Sequence, residues 1–153
     1  VYRVVLRAQL AGIRACKVGA RWDSAHRACV RSLTRGLVEL GVLKGAPHEL
    51  VAENAFRPFY MHGTSHWLGR DVHDVGAYED AEGNPEKLRA GAVLTVEPGL
   101  YFTAGDRRVP KALRGIGVRI EDDVLVTAKE PVVLTAAAPK SIADIERVMA
   151  VRS

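Results

Sequence analysis

Apolar residues near the start of the chain recur at helical spacing in two stretches, each closed by a glycine. The first predicts an amphipathic helix over residues 1 to about 18, with arginines between the apolar positions Val4, Val5, Leu10, Ile13 and Val18. The second predicts a helix capped by Asp23 or Ser24 and ended by Gly41, with apolar positions Ala25, Cys29, Leu33, Leu37 and Leu40. Residues 44–58 contain two prolines, and we expect one short helix there.

The period of the apolar pattern shortens to two after residue 58. Glycine and proline punctuate short segments that predict strands at residues 59–62, 71–73, 93–97, 100–103, 117–121 and 124–127. Residues 79–85 and 104–110 are polar and predict loops. A capped start at Ser141 and Asp144 then predicts a helix whose apolar face is Ile142, Ile145, Val148 and Met149. Helices, a sheet and a closing helix together predict an α+β fold over residues 1–153.

Size and composition fit one globular domain. The chain has 153 residues, and 48% of them are hydrophobic, which is enough to build a core. It contains no run of ~18 apolar residues, so we expect no membrane span. The net charge is +4, but the basic residues are scattered along the sequence with little aromatic interleaving. We therefore expect no nucleic-acid partner.

The first residues and the cysteines bear on the origin of the chain and on its compartment. The sequence opens at Val1 with charges among its apolar residues, unlike a signal peptide, and we expect a piece of a longer or processed protein. Cys16 and Cys29 lie in helical patterns without CxxC spacing, which predicts reduced core residues. In the absence of a targeting signal we expect a cytoplasmic protein.

Three of the five histidines, His62, His66 and His73, fall within twelve residues of one another. The first two have the spacing of the helical zinc motif HExxH, but Gly63 stands where that motif has its glutamate. A strand or loop presentation therefore fits better, with glycines that let the backbone approach a ligand closely. Taken singly, each histidine is more often a satisfied structural residue than a ligand.

Two glutamates, Glu97 and Glu121, each end a short apolar segment downstream. An ionised carboxylate buried there costs several kcal/mol, on the order of the penalty for an unpaired buried polar group or more, unless a metal or partner compensates it. Histidine plus two carboxylates is thus a metal-site hypothesis that suits manganese, cobalt or zinc. The alternatives are a solvent-facing strand, which Thr95 on the face of Glu97 supports, and an ion pair of Glu121 with Arg119.

Three segments, residues 62–76, 94–101 and 114–123, resemble the M24 metallopeptidases in motif, order and approximate spacing. Within that family they look most like bacterial Xaa-Pro aminopeptidases (aminopeptidase P), with prolidase next. Trp67 after the second histidine favours the aminopeptidase. The resemblance covers nearly the whole chain. It implies the C-terminal portion of a pita-bread (creatinase/aminopeptidase-like) fold, with helices packed on a curved, mainly antiparallel sheet.

The resemblance also implies roles for individual residues around a dinuclear Mn²⁺ site. His66, Glu97 and Glu121 would be metal ligands, with Glu121 bridging both ions and Glu97 serving also as an acid–base group. Among the catalytic residues, His73 would lie near the reacting carbonyl and His62 toward the proline side. Arg119 would belong to the surroundings of the metal and to the proline pocket. The implied reaction removes an N-terminal residue that precedes proline, by means of metal-activated water.

The chain departs from the family pattern at its beginning. The family takes two further ligands from aspartates on strands that precede the first helix, whereas Asp23 is the only aspartate here before residue 71. We expect a partial catalytic domain without those strands and without the N-terminal domain, binding at most one ion of Mn²⁺, Co²⁺ or Zn²⁺. We also expect association with another copy or with the missing half. A prolidase segment and a non-catalytic binding module are the alternatives.

Overall fold

The structure is a computed structural model that describes residues 1–150, and its helices are α1 (Tyr2–Ala15), α2 (Ser24–Glu39), α3 (Pro47–Ala52) and α4 (Ile142–Ala150). The antiparallel pair α1 and α2 forms the larger layer. The start of α1 lies against the end of α2, because Val4 contacts Gly36 while Gly12 faces Cys29 and Ala25. A Cβ at Gly12 would lie 2.6 Å from Cys29 Sγ, so glycine permits this close approach of the helices.

Five short antiparallel strands form the second layer. They are β1 (Val93–Val96), β2 (Gly99–Tyr101), β3 (Gly117–Arg119), β4 (Asp122–Leu125) and β5 (Val132–Val133). One sheet has the order β1-β4-β5, and β2 pairs with β3 in a second. Val96 pairs with Asp122 and Gly99 with Arg119, so both ladders keep a single register across the interruption. Residues 93–101 and 117–125 therefore behave as one long, interrupted hairpin.

The even-numbered positions of this hairpin form the core with the helices. Leu94, Val96 and Val124 are fully buried against Ile13, Cys29 and their neighbours. Leu100 and Ile120 pack in a second cluster with residues of α1 and α2, among them Val5 and Leu33. Burial of such side chains contributes roughly 1.5–3 kcal/mol each. Because side chains alternate along a strand, the odd-numbered positions face the other way.

The α+β class and all four helices are confirmed, with small differences at their ends. Asp23 precedes α2 as predicted, but its carboxylate pairs with Arg21 and Arg27. Ser141 caps α4 by accepting the N–H of Asp144 at 3.1 Å. Cys16 and Cys29 are buried free thiols, as expected. Within residues 1–150, no helix combines the length and apolar character that a bilayer span requires.

The predicted strand at residues 59–62 is wrong. Phe59 and Tyr60 are both buried, so their side chains do not alternate between core and solvent. Their N–H groups both donate to the carbonyl of Phe56, at 2.9 and 3.0 Å, as in a helical turn. The neighbouring apolar residues thus fill the core from a turn after α3, which the period-two pattern does not distinguish from a strand.

The predicted strand at residues 71–73 is a bend. Asp74 closes it by accepting the N–H of Arg70 at 3.0 Å, and the N–H of Asp74 donates to the carbonyl of Trp67 at 3.0 Å. Its middle residue Val72 is 71% exposed, so the apolar position has nothing to pack against. The remaining four strands are confirmed with shifted ends, while β5 has two residues and was not predicted.

Candidate metal centre

The interrupted hairpin places two carboxylates opposite each other. Glu97 follows β1 and Glu121 precedes β4, and the shared register of the flanking pairs makes them cross-strand neighbours on one face. Like charges directly opposite each other destabilise a sheet. The pKa of Glu121 is raised from its ordinary value, first by burial and then by the charges of Glu97 and Asp123. A cation between the two carboxylates would relieve this repulsion.

His66 reaches the same face from a segment that runs beside β1. Glu97 N–H donates to the carbonyl of Thr64 at 2.8 Å, and Thr95 N–H to the carbonyl of His66 at 3.1 Å. The imidazole Nδ1 lies 2.9 Å from the carbonyl oxygen of Trp67. A carbonyl only accepts, so in the neutral imidazole Nδ1 carries the proton and Nε2 keeps a free lone pair. Nε2 lies 3.5 Å from Glu97 Oε1.

His66, Glu97 and Glu121 therefore form a compact donor set, with one ligand atom from each within 4.8 Å of the others. The His66 and Glu97 side chains are only 16% and 12% exposed, while Glu121 opens to solvent. One imidazole nitrogen and two carboxylates suit a divalent cation of the manganese, cobalt or zinc type. The residues present fit the metal that the sequence predicts.

An ordered polar array borders the donor set on one side. Arg119 donates to Tyr101 OH at 2.8 Å and to Glu97 Oε2 at 3.2 Å. His62 Nδ1 faces the carbonyl of Gly63 at 2.6 Å, so in the neutral imidazole Nε2 accepts, and Tyr101 OH lies 2.8 Å from that nitrogen. Arg119 thus contacts the Glu97 carboxylate directly, and Tyr101 links His62 to Arg119.

His73 lies next to His66, in the exposed bend. Its ring centroid is 4.2 Å from that of His66, in an edge-to-face arrangement. All six predicted site residues are therefore near one another. The nearby Asp74 is engaged elsewhere, because its carboxylate accepts backbone N–H groups of Arg70 and Val75.

Two residues that contact the site were not predicted to take part. Tyr101 joins His62 to Arg119, and Thr95 contacts both His66 and Glu97. Both lie on the same strand face as Glu97, Thr95 two positions before it and Tyr101 four positions after it. Period-two alternation places both residues on the face of Glu97 and could have identified them. The prediction used Thr95 only as support for a solvent-facing strand, whereas Thr95 is 1% exposed.

Comparison with known proteins agrees with this geometry. Residues 1–128 match Metallopeptidase family M24. The chain belongs to that family. The Xaa-Pro aminopeptidase of Haemophilus influenzae is 48% identical over 149 residues, which cover 97% of this chain and 34% of that protein. The family assignment made from the three motifs is thereby confirmed, and membership implies a divalent metal.

Two solved structures superpose closely on the chain. The aminopeptidase PepP of Pseudomonas aeruginosa has a TM-score of 0.96 at 48% identity, covering 99% of this chain and 34% of that one. Aminopeptidase P from E. coli with the inhibitor Pro-Leu has a TM-score of 0.91 at 45% identity, with the same coverage. The M24 chain described here thus has the fold of the C-terminal portion of aminopeptidase P and spans about a third of the length of its curated relatives.

Proposed function

We propose that this M24 chain is the metal-binding part of a Xaa-Pro aminopeptidase, which removes an N-terminal residue preceding proline. The observation that carries the proposal is the convergence of His66, Glu97 and Glu121 from three separate motifs to within 4.8 Å. Relatives named Xaa-Pro aminopeptidases support the substrate class, which is peptides with proline at the second position.

The proposed ligands are His66 through Nε2 and the carboxylates of Glu97 and Glu121, and we propose Mn²⁺ as the metal, with Co²⁺ or Zn²⁺ also compatible. When bound, such an ion lowers the pKa of a water molecule and polarises the scissile carbonyl. Three protein ligands are sufficient for one ion. In the intact enzyme, the further ligands of a second ion would come from aspartates outside these 153 residues.

The chain's own residues have distinct tasks in the proposed hydrolysis. The reaction joins a water oxygen to the carbonyl carbon before proline and breaks the bond to the proline nitrogen, which receives a proton. Glu97, held in place by Arg119, would take that proton from water and return it to the nitrogen. His73 would donate a hydrogen bond to the carbonyl oxygen as negative charge develops there. His62 and Arg119 would contact the proline side.

The proposal predicts that His66→Ala abolishes most metal binding. Removal of one of three ligands is expected to weaken Mn²⁺ binding at least ~100-fold, beyond the usual effect of changing a residue that only supports a ligand. Isothermal titration with Mn²⁺ measures this, and His48→Ala is the matched control because His48 is exposed and distant in sequence from the motifs. Equal affinity of His66→Ala and the unchanged chain would contradict the proposed site.

Substrate choice separates the proposed enzyme from its alternatives. Hydrolysis of an Xaa-Pro-Yaa tripeptide that is lost in His66→Ala would support the aminopeptidase, whereas cleavage of Xaa-Pro dipeptides alone would indicate a prolidase. Metal binding without turnover of either peptide would mean that residues outside the chain complete the site. A chain that binds peptide but no metal would be a binding module.

A further inference from the structure

Thr95 lies between two of the proposed metal ligands and contacts both. Its hydroxyl accepts the backbone N–H of His66 at 3.0 Å and donates to Glu97 Oε1 at 3.1 Å. The residue is 1% exposed, so water does not compete for these two bonds. In addition, its backbone N–H donates to the carbonyl of His66 at 3.1 Å. Thr95 therefore connects the segment of His66 to the carboxylate of Glu97.

The direction of each hydrogen bond follows from the partners. A backbone N–H can only donate, so the His66 amide occupies a lone pair of the Thr95 hydroxyl. An ionised carboxylate can only accept, so the single hydroxyl proton is directed to Glu97 Oε1. The β-branched side chain is stiff about its first torsion, which keeps the hydroxyl between the two partners.

Both carboxylate oxygens of Glu97 are consequently restrained. Thr95 holds Oε1, which faces His66 Nε2 at 3.5 Å, and Arg119 holds Oε2 at 3.2 Å. A carboxylate fixed at both oxygens does not rotate away from its imidazole neighbour. The separation of the two proposed ligand atoms is thus set before any ion arrives.

We propose that Thr95 is a positioning residue for metal binding, whose hydroxyl sets the spacing and orientation of His66 and Glu97. This inference rests on the proposed function, because it requires those two residues to be ligands. A threonine that served only the packing of β1 would influence stability without influencing metal affinity, and the two roles can be separated by substitution.

The test compares Thr95→Val, which keeps the shape and loses the hydroxyl, with Thr95→Ser, which keeps the hydroxyl. We expect Thr95→Val to weaken Mn²⁺ binding by roughly 10–100-fold, the usual cost of removing a group that orients a metal ligand. Thr95→Ser should bind Mn²⁺ with an affinity within about threefold of the unchanged chain, a much smaller loss than that of Thr95→Val. Both affinities are measured by titration under conditions in which the chains are folded.

A second measurement needs no metal. Amide hydrogen exchange at His66 should become faster in Thr95→Val, because that N–H loses its acceptor, and should stay slow in Thr95→Ser. Unchanged exchange in Thr95→Val would overturn the positioning role.

The outcomes also distinguish this inference from the proposed function. If the unchanged chain binds Mn²⁺ through His66 and Thr95→Val binds equally well, the positioning role is overturned and the site stands. If the unchanged chain binds no Mn²⁺, or if His66→Ala binds equally, the proposed site falls and the positioning role falls with it.

Discussion

At the scale of single residues, His26 is a half-buried imidazole next to the site region. Its Nδ1 lies 2.9 Å from the hydroxyl of Thr64, whose oxygen also bonds to Tyr60. Burial lowers the pKa of His26 below its ordinary 6.5; Asp23 opposes this shift, whereas His62 and Arg57 add to it. Protonation of His26 is therefore harder in the folded chain than in the unfolded one.

This shift predicts a loss of stability on acidification. As the pH falls below 6.5, the unfolded chain takes up a proton that folded His26 resists. The titration of His26 therefore leaves the free energy of unfolding unchanged above pH 6.5 and lowers it below that pH. His26→Gln should reduce the decline, measured by urea unfolding at about pH 7.5 and about pH 5. The exposed His48→Gln is the control and should decline like the unchanged chain. An equal decline in His26→Gln would contradict the assignment.

At the scale of elements, the contact between α1 and α2 depends on a small residue at each close approach. A Cβ at Gly36 would overlap Val4 Cγ1 and lie 3.1 Å from Val4 Cβ. Glycine costs a helix interior about 1 kcal/mol relative to alanine, so its presence in α2 is a packing requirement rather than a helical preference.

Gly36→Ala is therefore expected to destabilise the chain by about 1–3 kcal/mol, since overpacking outweighs the gain in helix propensity. In a Val4→Ala background the penalty should shrink, because only the Cβ at position 4 remains nearby. Urea unfolding of the four chains of this cycle measures both effects. A penalty of the same size in the two backgrounds would mean that Val4 is not the obstacle.

The elements show how far sequence patterns reach. The helices were predicted because their apolar period persists over several turns, and the three motifs supplied the six residues proposed for the site. The prediction of a strand at residues 59–62 was wrong because adjacent apolar residues occur in a buried turn as readily as in a strand. The position of Glu97 directly opposite Glu121 was not predicted, because it depends on the register between two strands. The sequence of one strand alone does not determine that register.

At the scale of the whole molecule, one buried carboxylate joins the helical layer, the sheet and the end of the chain. Asp122 on β4 accepts from Gln9 of α1, from Thr135 at 2.6 Å and from Lys140 Nζ at 2.6 Å. Its side chain is fully buried. Tyr2 adds a bond to the carbonyl of Lys140 at 2.7 Å, so the segment before α4 is attached to α1 as well.

Lys140→Met should lower the unfolding free energy by about 3 kcal/mol, because it leaves the Asp122 charge buried without its cation. In an Asp122→Asn background the same change should cost far less, since no buried charge remains. Lys111→Met is the surface control and should stay within about 0.5 kcal/mol of the unchanged chain in urea unfolding. A full-sized loss in the Asp122→Asn background would show that the lysine acts through packing instead.

Tertiary packing also collects charges that the sequence scatters. Arg7, Arg14, Arg31 and Arg35 line one groove between α1 and α2. Their clustering was not predicted, because two of them lie on each helix and the antiparallel pairing of the helices cannot be read from the charge pattern. The expectation that the chain has no nucleic-acid partner stays a prediction.

The two cysteines at the helix interface have a consequence for chemical labelling. Burial raises the pKa of both Cys16 and Cys29 to about 12, and their thiols donate to the carbonyls of Gly12 and Ala8. Since the thiolate is the reactive form, neither sulfur is available to alkylating reagents or to soft metal ions while the helices are packed. The rate at which these thiols are alkylated therefore measures how often α1 separates from its neighbours.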